Sequence, residues 1–163
     1  MITTKTNGPV TTLVLDRPAK RNALNGMMID SLGKEIAAVE ADENSRVLVI
    51  TGAEGHFAAG RDLNDADAST PLRDVMAHDD AYTAVFEMLR RSAKPSVAVV
   101  QGYAVAGGFT LAMGCDFVIA DRSARFGALE MRGGFPAAIN TVILSHLCGP
   151  RHALELLLSA DMF

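Results

Sequence analysis

Pro95-Ser-Val-Ala-Val-Val-Gln-Gly-Tyr-Ala-Val-Ala-Gly-Gly-Phe-Thr-Leu-Ala-Met-Gly-Cys-Asp-Phe-Val-Ile-Ala120 is the stretch whose reading decides the fold. It carries no charge between Lys94 and Asp116, and it divides into an apolar run, a glycine-bearing turn, a short helical run and a second apolar run. Continuous apolar runs of this length predict strands buried on both faces, where alternation would predict a half-exposed one. Gly107 and Gly108 fall where the intervening helix should begin. A helix N-terminus has backbone N–H groups without internal partners and partial positive charge, so it suits an anion or a developing oxyanion, and glycine lets a ligand approach. The same pair also permits tight packing of helix against strand, and on the motif alone both readings stand.

Working outward toward the N-terminus, Met1 to Thr6 and Thr11 to Leu15 are β-rich runs joined by Asn7-Gly8-Pro9, which predicts a hairpin. Arg17 to Asn22 breaks the pattern. From Asn25 to Ala41, Met28, Leu32, Ile36 and Val39 recur at helical spacing, with Asp30, Lys34, Glu35 and Glu40 on other faces. Arg46 to Thr51, closed by Gly52, is a short apolar strand. The segment after Gly55 to Leu63, with Asp62, Asn64, Asp65 and Asp67, reads as an exposed, mobile loop or loose helix. A helix follows from Pro71 to Arg91, with Val75, Tyr82, Phe86 and Leu89 along one side. Beyond the central stretch, Ala124 to Gly127 is a short edge strand and Ala128 to Pro136 a loop carrying Glu130. Two helices, Ala137 to Leu147 and Pro150 to Leu158, are separated by Gly149.

The 163 residues fit one domain, 1–163, and a hydrophobic content of 49% suffices for a sizeable core. A net charge of -4 gives no general attraction to nucleic acid or anionic membrane, so an anionic ligand must meet local positive charge. No run reaches the length of a membrane span. Cys115 and Cys148 have no metal-ligand spacing and do not form a disulfide framework, and Cys115 reads as core. A cytoplasmic setting is the default expectation. His56, His78, His146 and His152 show no metal-ligand spacing and read as non-catalytic. Ser96 has no histidine evidently paired with it, which argues against a serine hydrolase.

Several motifs in order carry a resemblance: Leu15-Asp16-Arg17-Pro18 through Asn22-Ala23-Leu24-Asn25, Val49-Ile50-Thr51-Gly52, Phe57-Ala58-Ala59-Gly60-Arg61-Asp62-Leu63 and Lys94-Pro95. Gly102 to Gly108, Cys115-Asp116, Phe126-Gly127 with Glu130, and Gly149-Pro150 with Leu154 continue the set over nearly the whole chain. The sequence resembles the crotonase, or enoyl-CoA hydratase/isomerase, superfamily. The resemblance implies an α/β fold, a spiral of repeated strand-strand-helix units, and chemistry on an acyl-CoA thioester. It implies no tightly bound cofactor, coenzyme A entering as part of the substrate.

The resemblance places the thioester oxygen between the backbone N–H groups of Arg61 and Gly107. Donors fixed at the place where negative charge develops are worth about 3 kcal/mol each in the rate. It places coenzyme A near Lys20, Arg21 and Ala23 and along Ala58 to Leu63, which includes Ala59, Gly60, Asp62 and Leu63. The Arg61 side chain faces the phosphates or water in this reading. Asp116 reads as structural, an aspartate that holds a backbone turn before a strand.

Departures from the family pattern are as informative. Members that hydrate a double bond carry two glutamates; the second matches Glu130, and the first falls at Thr110. Threonine is no carboxylate base, though its hydroxyl can orient a water. The resemblance therefore implies a single-glutamate, isomerase-like reaction, with Thr110-assisted hydration and a weakly catalytic CoA-binding or association module as alternatives. The loop from Glu130 to Pro136 is about one residue shorter than the family form, and Ala137-Ala138-Ile139-Asn140-Thr141 replaces a glycine-rich segment. Asn140 and Thr141 read as helix N-terminal caps, or as contacts to a polar substrate. The final residues resemble the point where family members enter a further turn and C-terminal helices, which implies a core without that segment and, at full length, a homotrimer or hexamer.

Overall fold

The computed structural model describes residues 1–65 and 69–163. Asp67 lies outside them. The chain builds two ladders of strands, adding one segment to each ladder per turn. The hairpin predicted at the N-terminus pairs β1 (Ile2–Asn7) with β2 (Val10–Leu15), and β2 continues parallel to β3 (Val47–Gly52), β4 (Ser96–Val100) and β6 (Phe117–Ala120). The order of this sheet is β1-β2-β3-β4-β6, each crossover advancing by one strand.

The second ladder is made of short pieces. Leu24 bridges Arg61, Ala58 bridges Ala104 in β5 (Tyr103–Val105), and β5 pairs in parallel with β7 (Arg125–Gly127). Phe163 adds reciprocal backbone hydrogen bonds to Phe126, at 2.9 and 3.0 Å. After β1, each strand of the large sheet is thus followed by a short second-ladder segment on the way to the next helix: Leu24 after β2, Ala58 to Arg61 after β3, β5 after β4, and β7 after β6. This is the spiral of strand-strand-helix units that the resemblance implied. β5 was not foreseen as a separate strand.

Helices fill the crossovers. α1 (Gly26–Ala41) is capped by Asn25, whose side chain accepts from Met28 N at 3.0 Å, and it buries Met28, Leu32, Ile36 and Val39 as the spacing predicts. α2 (Leu72–Arg91) buries Tyr82, Val85 and Leu89, while Val75 and Phe86 are only half-buried. α3 (Gly107–Gly114) is buried along most of its length. α4 (Ala138–Ser159) is broken at Gly149, so the two helices expected there are present in line. The main core lies between the large sheet, α1 and α2, and a smaller cluster joins Phe109, Ala128, Leu144 and Leu157.

Two expectations need correction. β6 is exposed along its whole length, with Phe117 and Ile119 each 61% accessible; it is the outer strand of the sheet and, among the described residues, pairs only with β4. An apolar run reports what a strand is suited to bury, and its position in the sheet decides what it does bury. Asp62, expected in an exposed loop, is instead held by Arg17 at 2.6 Å, and its carboxylate also accepts from Asn64 N at 3.0 Å. Asp116 behaves as predicted, accepting from Ser96 N at 2.8 Å and Ser96 Oγ at 2.7 Å where β4 and β6 begin. Among the described residues no helix is long and apolar enough to cross a membrane.

Candidate active site

The two glycines at the start of α3 have different duties. A Cβ on Gly108 would sit 2.2 Å from the carbonyl oxygen of Ala58, so this glycine lets the helix press against the second ladder. At Gly107 a Cβ would lie 3.3 Å from Arg61 N and 3.2 Å from the Tyr82 hydroxyl, which makes the Arg61 and Gly107 amides neighbours. The packing reading of the pair thus holds at Gly108, while Gly107 brings its own amide beside that of Arg61. Among the described residues neither amide donates to a backbone carbonyl outside the regular elements, and Gly107, as the first residue of α3, has no intrahelical acceptor.

Unusual backbone surrounds these amides. Gly60 has φ +101°, open to glycine at no cost. Ala106 precedes α3 at φ 48° and ψ −124°, a conformation that L-residues rarely adopt, and no side chain caps the helix. Strain of this kind, of order 1–3 kcal/mol, persists where surrounding structure enforces it and clusters at functional sites. The Ala106 N–H is tied to Gly127 O at 2.8 Å, and Ala106 O accepts from Thr110 N and Thr110 Oγ1 at 3.0 and 3.1 Å, which fixes the peptide groups on both sides.

Tyr82, read from sequence only as part of an apolar helix face, is a wall of this site. It is 3% exposed, its hydroxyl donates to Gly107 O, and its ring lies 5.7 Å from the Arg61 guanidinium. Burial pushes the phenol well above its ordinary value, offset in part by the Thr110 hydroxyl and Arg61 and reinforced by Glu130. Tyr82 is thus within electrostatic reach of Arg61, Thr110 and Glu130 together. The Arg61 side chain is paired with Asp79 as well as stacked on Tyr82, so it is less free than a solvated surface charge. Thr110 is 2% exposed, and its hydroxyl proton goes to Ala106 O within α3.

Glu130 opens a 3-10 turn (Glu130–Gly133) after β7. Burial raises its pKa, the largest effect on it, and a hydrogen bond from Asn140 pulls in the opposite direction. Asn140 Nδ2 donates to Glu130 Oε1 at 2.8 Å. Asn140 and Thr141 are not the caps expected: the residue before α4 is Ala137, with no side-chain cap, and the Thr141 hydroxyl bonds back to Ala137 O. Asn140 stands four residues before Leu144 on the buried face of α4, and that spacing was the available signal that it points inward.

The residues expected to meet coenzyme A form one laced region. Ala59 N donates to Arg21 O at 3.0 Å, Leu24 N to Gly60 O at 2.8 Å, and Asp62 N to Leu24 O at 2.8 Å, so the segment 20–24 runs beside 59–62. Ala23 O accepts from the Arg17 guanidinium at 3.1 Å. Lys20, Arg21 and Leu63 are exposed, and the Arg21 guanidinium lies 5.4 Å from the Tyr103 ring centre. Asn22, missed in the sequence, is fully buried and holds the loop: its Nδ2 donates to Ala53 O and His56 O at 2.9 and 2.7 Å, and its Oδ1 accepts from Arg17 N. Among the described residues no group of three metal-binding side chains occurs.

A two-ladder α/β spiral with paired amides ahead of a buried helix is the class of structure these features define. The chain belongs to the enoyl-CoA hydratase/isomerase family, whose sequence profile matches residues 5–163. It is 39% identical over 150 residues to the 2,3-dehydroadipyl-CoA hydratase of Escherichia coli K12, an alignment covering 91% of this chain and 58% of that one. It is 38% identical over 153 residues to the 1,2-epoxyphenylacetyl-CoA isomerase of the same organism, again covering 91% and 58%. The crystal structure of an enoyl-CoA hydratase from Thermoplasma volcanium superposes with a TM-score of 0.93 at 32% identity, covering 99% of this chain and 65% of that one. The fold is crotonase-like, and the chain spans less than two thirds of the length of these relatives.

Proposed function

We propose that this chain carries the reacting centre of an acyl-CoA isomerase in which Glu130 is the single acid/base. The observation that carries this reading is Glu130 itself, a partly buried carboxyl with a raised pKa that acts electrostatically on Tyr82, the residue whose hydroxyl bonds Gly107 O, with Thr110 where a second carboxylate would be needed for hydration. The thioester oxygen lies between the Arg61 and Gly107 amides. Glu130 takes a proton from a carbon near the thioester; the electron pair delocalises onto that oxygen as a dienolate, and the two N–H groups hold the charge. The protonated acid then returns the proton to another carbon, so the double bond moves and the mass is unchanged. A raised pKa suits a group that must both accept and release a proton near working pH.

Coenzyme A lies along the region where segment 20–24 meets 59–62, its phosphates toward Lys20 and Arg21 and its chain along Ala23, Ala59, Gly60, Asp62 and Leu63. Lys20 and Arg21 are the exposed cations of that loop, which supplies local positive charge on an acidic chain. The exposed leucines of α4, Leu147, Leu154 and Leu158, support assembly into a homotrimer or hexamer, which light scattering of the full gene product reads directly.

The deciding experiment screens unsaturated acyl-CoA thioesters against the full gene product, with mass spectrometry of the products. Isomerisation leaves mass unchanged, whereas hydration adds one water. The expected result is isomerisation that falls by about 10²–10⁴ in Glu130→Gln. Efficient hydration that survives that substitution refutes the reading. Hydration lost with Glu130 favours a hydratase in which Thr110 orients the water.

A further inference from the structure

The pair formed by Glu130 and Asn140 contains two oxygens that the fold leaves unsatisfied. Glu130 Oε1 accepts from Asn140 Nδ2 at 2.8 Å, while Glu130 Oε2 and Asn140 Oδ1 are buried and, among the described residues, without a hydrogen-bond partner. Asn140 is 1% exposed, on the face of α4 that also buries Leu144. An apolar residue there would fill the space without stranding an amide oxygen, and native structures rarely leave such groups unmatched without a reason. Capping does not supply the reason, because Asn140 caps nothing. Its one bond goes to the carboxyl of Glu130.

We infer that Asn140 is a positioning residue that divides the labour between the two oxygens of Glu130, pinning Oε1 so that Oε2 alone carries the proton. This rests on the reading of Glu130 as the acid/base. A carboxylate held at neither oxygen presents both to substrate and turns about its terminal bond. With Nδ2 on Oε1, the turn costs a charge-assisted bond. The same bond survives both halves of the reaction, because Oε1 is an acceptor whether the group is carboxylate or acid. The proton can therefore arrive on Oε2 and leave it without the carboxyl changing its orientation. Holding a reacting group within a fraction of an ångström is worth a large factor in rate.

Other charged and titratable groups near Glu130 are few. Tyr82, on α2, feels the charge of Glu130, and Arg132 in the same 3-10 turn is engaged by Asp161. Among the described residues neither bonds Glu130, so beside the carboxyl's own backbone amide Asn140 is the side chain that bears on its protonation. The bond from Asn140 favours the ionised form against the burial that opposes it.

The test uses the full gene product, an acyl-CoA that it turns over, and two variants read by rate against pH. Asn140→Leu removes the donor at similar volume. The expected result is a kcat lower by about 10- to 100-fold, KM within about twofold, and a proton-abstraction limb displaced to higher pH. Asn140→Asp keeps the shape and decides the matter if the leucine variant does not fold. There the two carboxyls share protons, and the limb moves upward in two steps. A limb that stays in place in the folded variants overturns the inference, even where turnover or melting temperature falls, because that pattern means a structural role only. Glu130→Gln run in parallel separates the two ideas: full activity in that variant refutes the acid/base reading itself, while its inactivity beside an unaltered pH profile in the Asn140 variants refutes only the positioning role.

Discussion

α1 and α3 both begin next to a polar residue or a turn, and both carry glycine, yet they are built for opposite ends. α1 has an amphipathic face and a side-chain cap, Asn25 satisfying the amide of Met28, so its N-terminus is closed within the chain. α3 is buried nearly all round, starts from a strained Ala106, and has no cap. In the first arrangement a side chain satisfies an amide at the helix start; in the second no side chain does, and the Gly107 amide lies beside that of Arg61. Regular helix rules describe α1 almost completely and describe α3 only by the rules it breaks.

Substitutions at the glycines sharpen this contrast most. Gly108→Ala places a methyl group 2.2 Å from Ala58 O, a backbone atom that cannot swing away, and is expected to destabilise the fold by about 3 kcal/mol in denaturant melts. A loss below about 0.5 kcal/mol would mean that α3 is not pressed against the second ladder. Next comes Glu130→Gln, followed by thermal melting across pH. Because burial raises the folded pKa of Glu130 above its ordinary 4.5, the ionised carboxyl is a burden on the fold. That burden is absent below the ordinary value, where folded and unfolded forms are both neutral, and it is complete once pH has risen through the folded pKa. Glu130→Gln should therefore match the parent in acid and melt higher than it toward neutral pH. A gap of constant size across pH would remove burial as the cause.

Smaller effects of opposite chemistry should come from the two helix backbones. Ala106→Gly relieves a left-handed φ and is expected to add about 1 kcal/mol to stability. In α1 the favourable direction is reversed: Gly33 has only Met88 Sδ near its Cβ position, at 3.9 Å, so Gly33→Ala should stabilise by about 0.5 kcal/mol. If Ala106→Gly is neutral or harmful, the strain assigned to the start of α3 is not there.

The same contrast explains what the sequence shows. Met28, Leu32, Ile36 and Val39 repeat at helical spacing because one face of α1 meets the sheet, and the hairpin around Gly8 is local chemistry. β5 has three residues and follows β4 after a two-residue turn, too little pattern for a period to register. The exposure of β6 depends on which strand lies at the side of the sheet, a fact held in no local window. In the site, Gly107, Arg61 and Glu130 were reached through ordered motifs, and the structure brings Gly107 beside Arg61. Tyr82 reads only as core and Asn140 as a cap or a substrate contact, never as a partner of Glu130, since a phenol on an apolar helix face and an amide near a helix start each have an ordinary explanation. Their hydrogen-bond partners lie 25 and 10 residues away, at Gly107 and Glu130.

Asn22 ties the loop before α1 to carbonyls 31 and 34 residues later in the chain, at Ala53 and His56. Seen in time and not in space, these bonds point to an expected order of events. Closing a loop of that length costs entropy before any bond rewards it, and contacts of long sequence separation slow folding. The left-handed turn at Arg21 and Asn22 is laced locally to Arg17 and Pro18, but its Asn22 amide gains its two carbonyl partners only once β3 has docked and the turn after it has formed. The segment that carries Lys20 and Arg21 is thus expected to take its final shape late, with low φ-values on folding, as a consequence of the sheet and not as a nucleus for it.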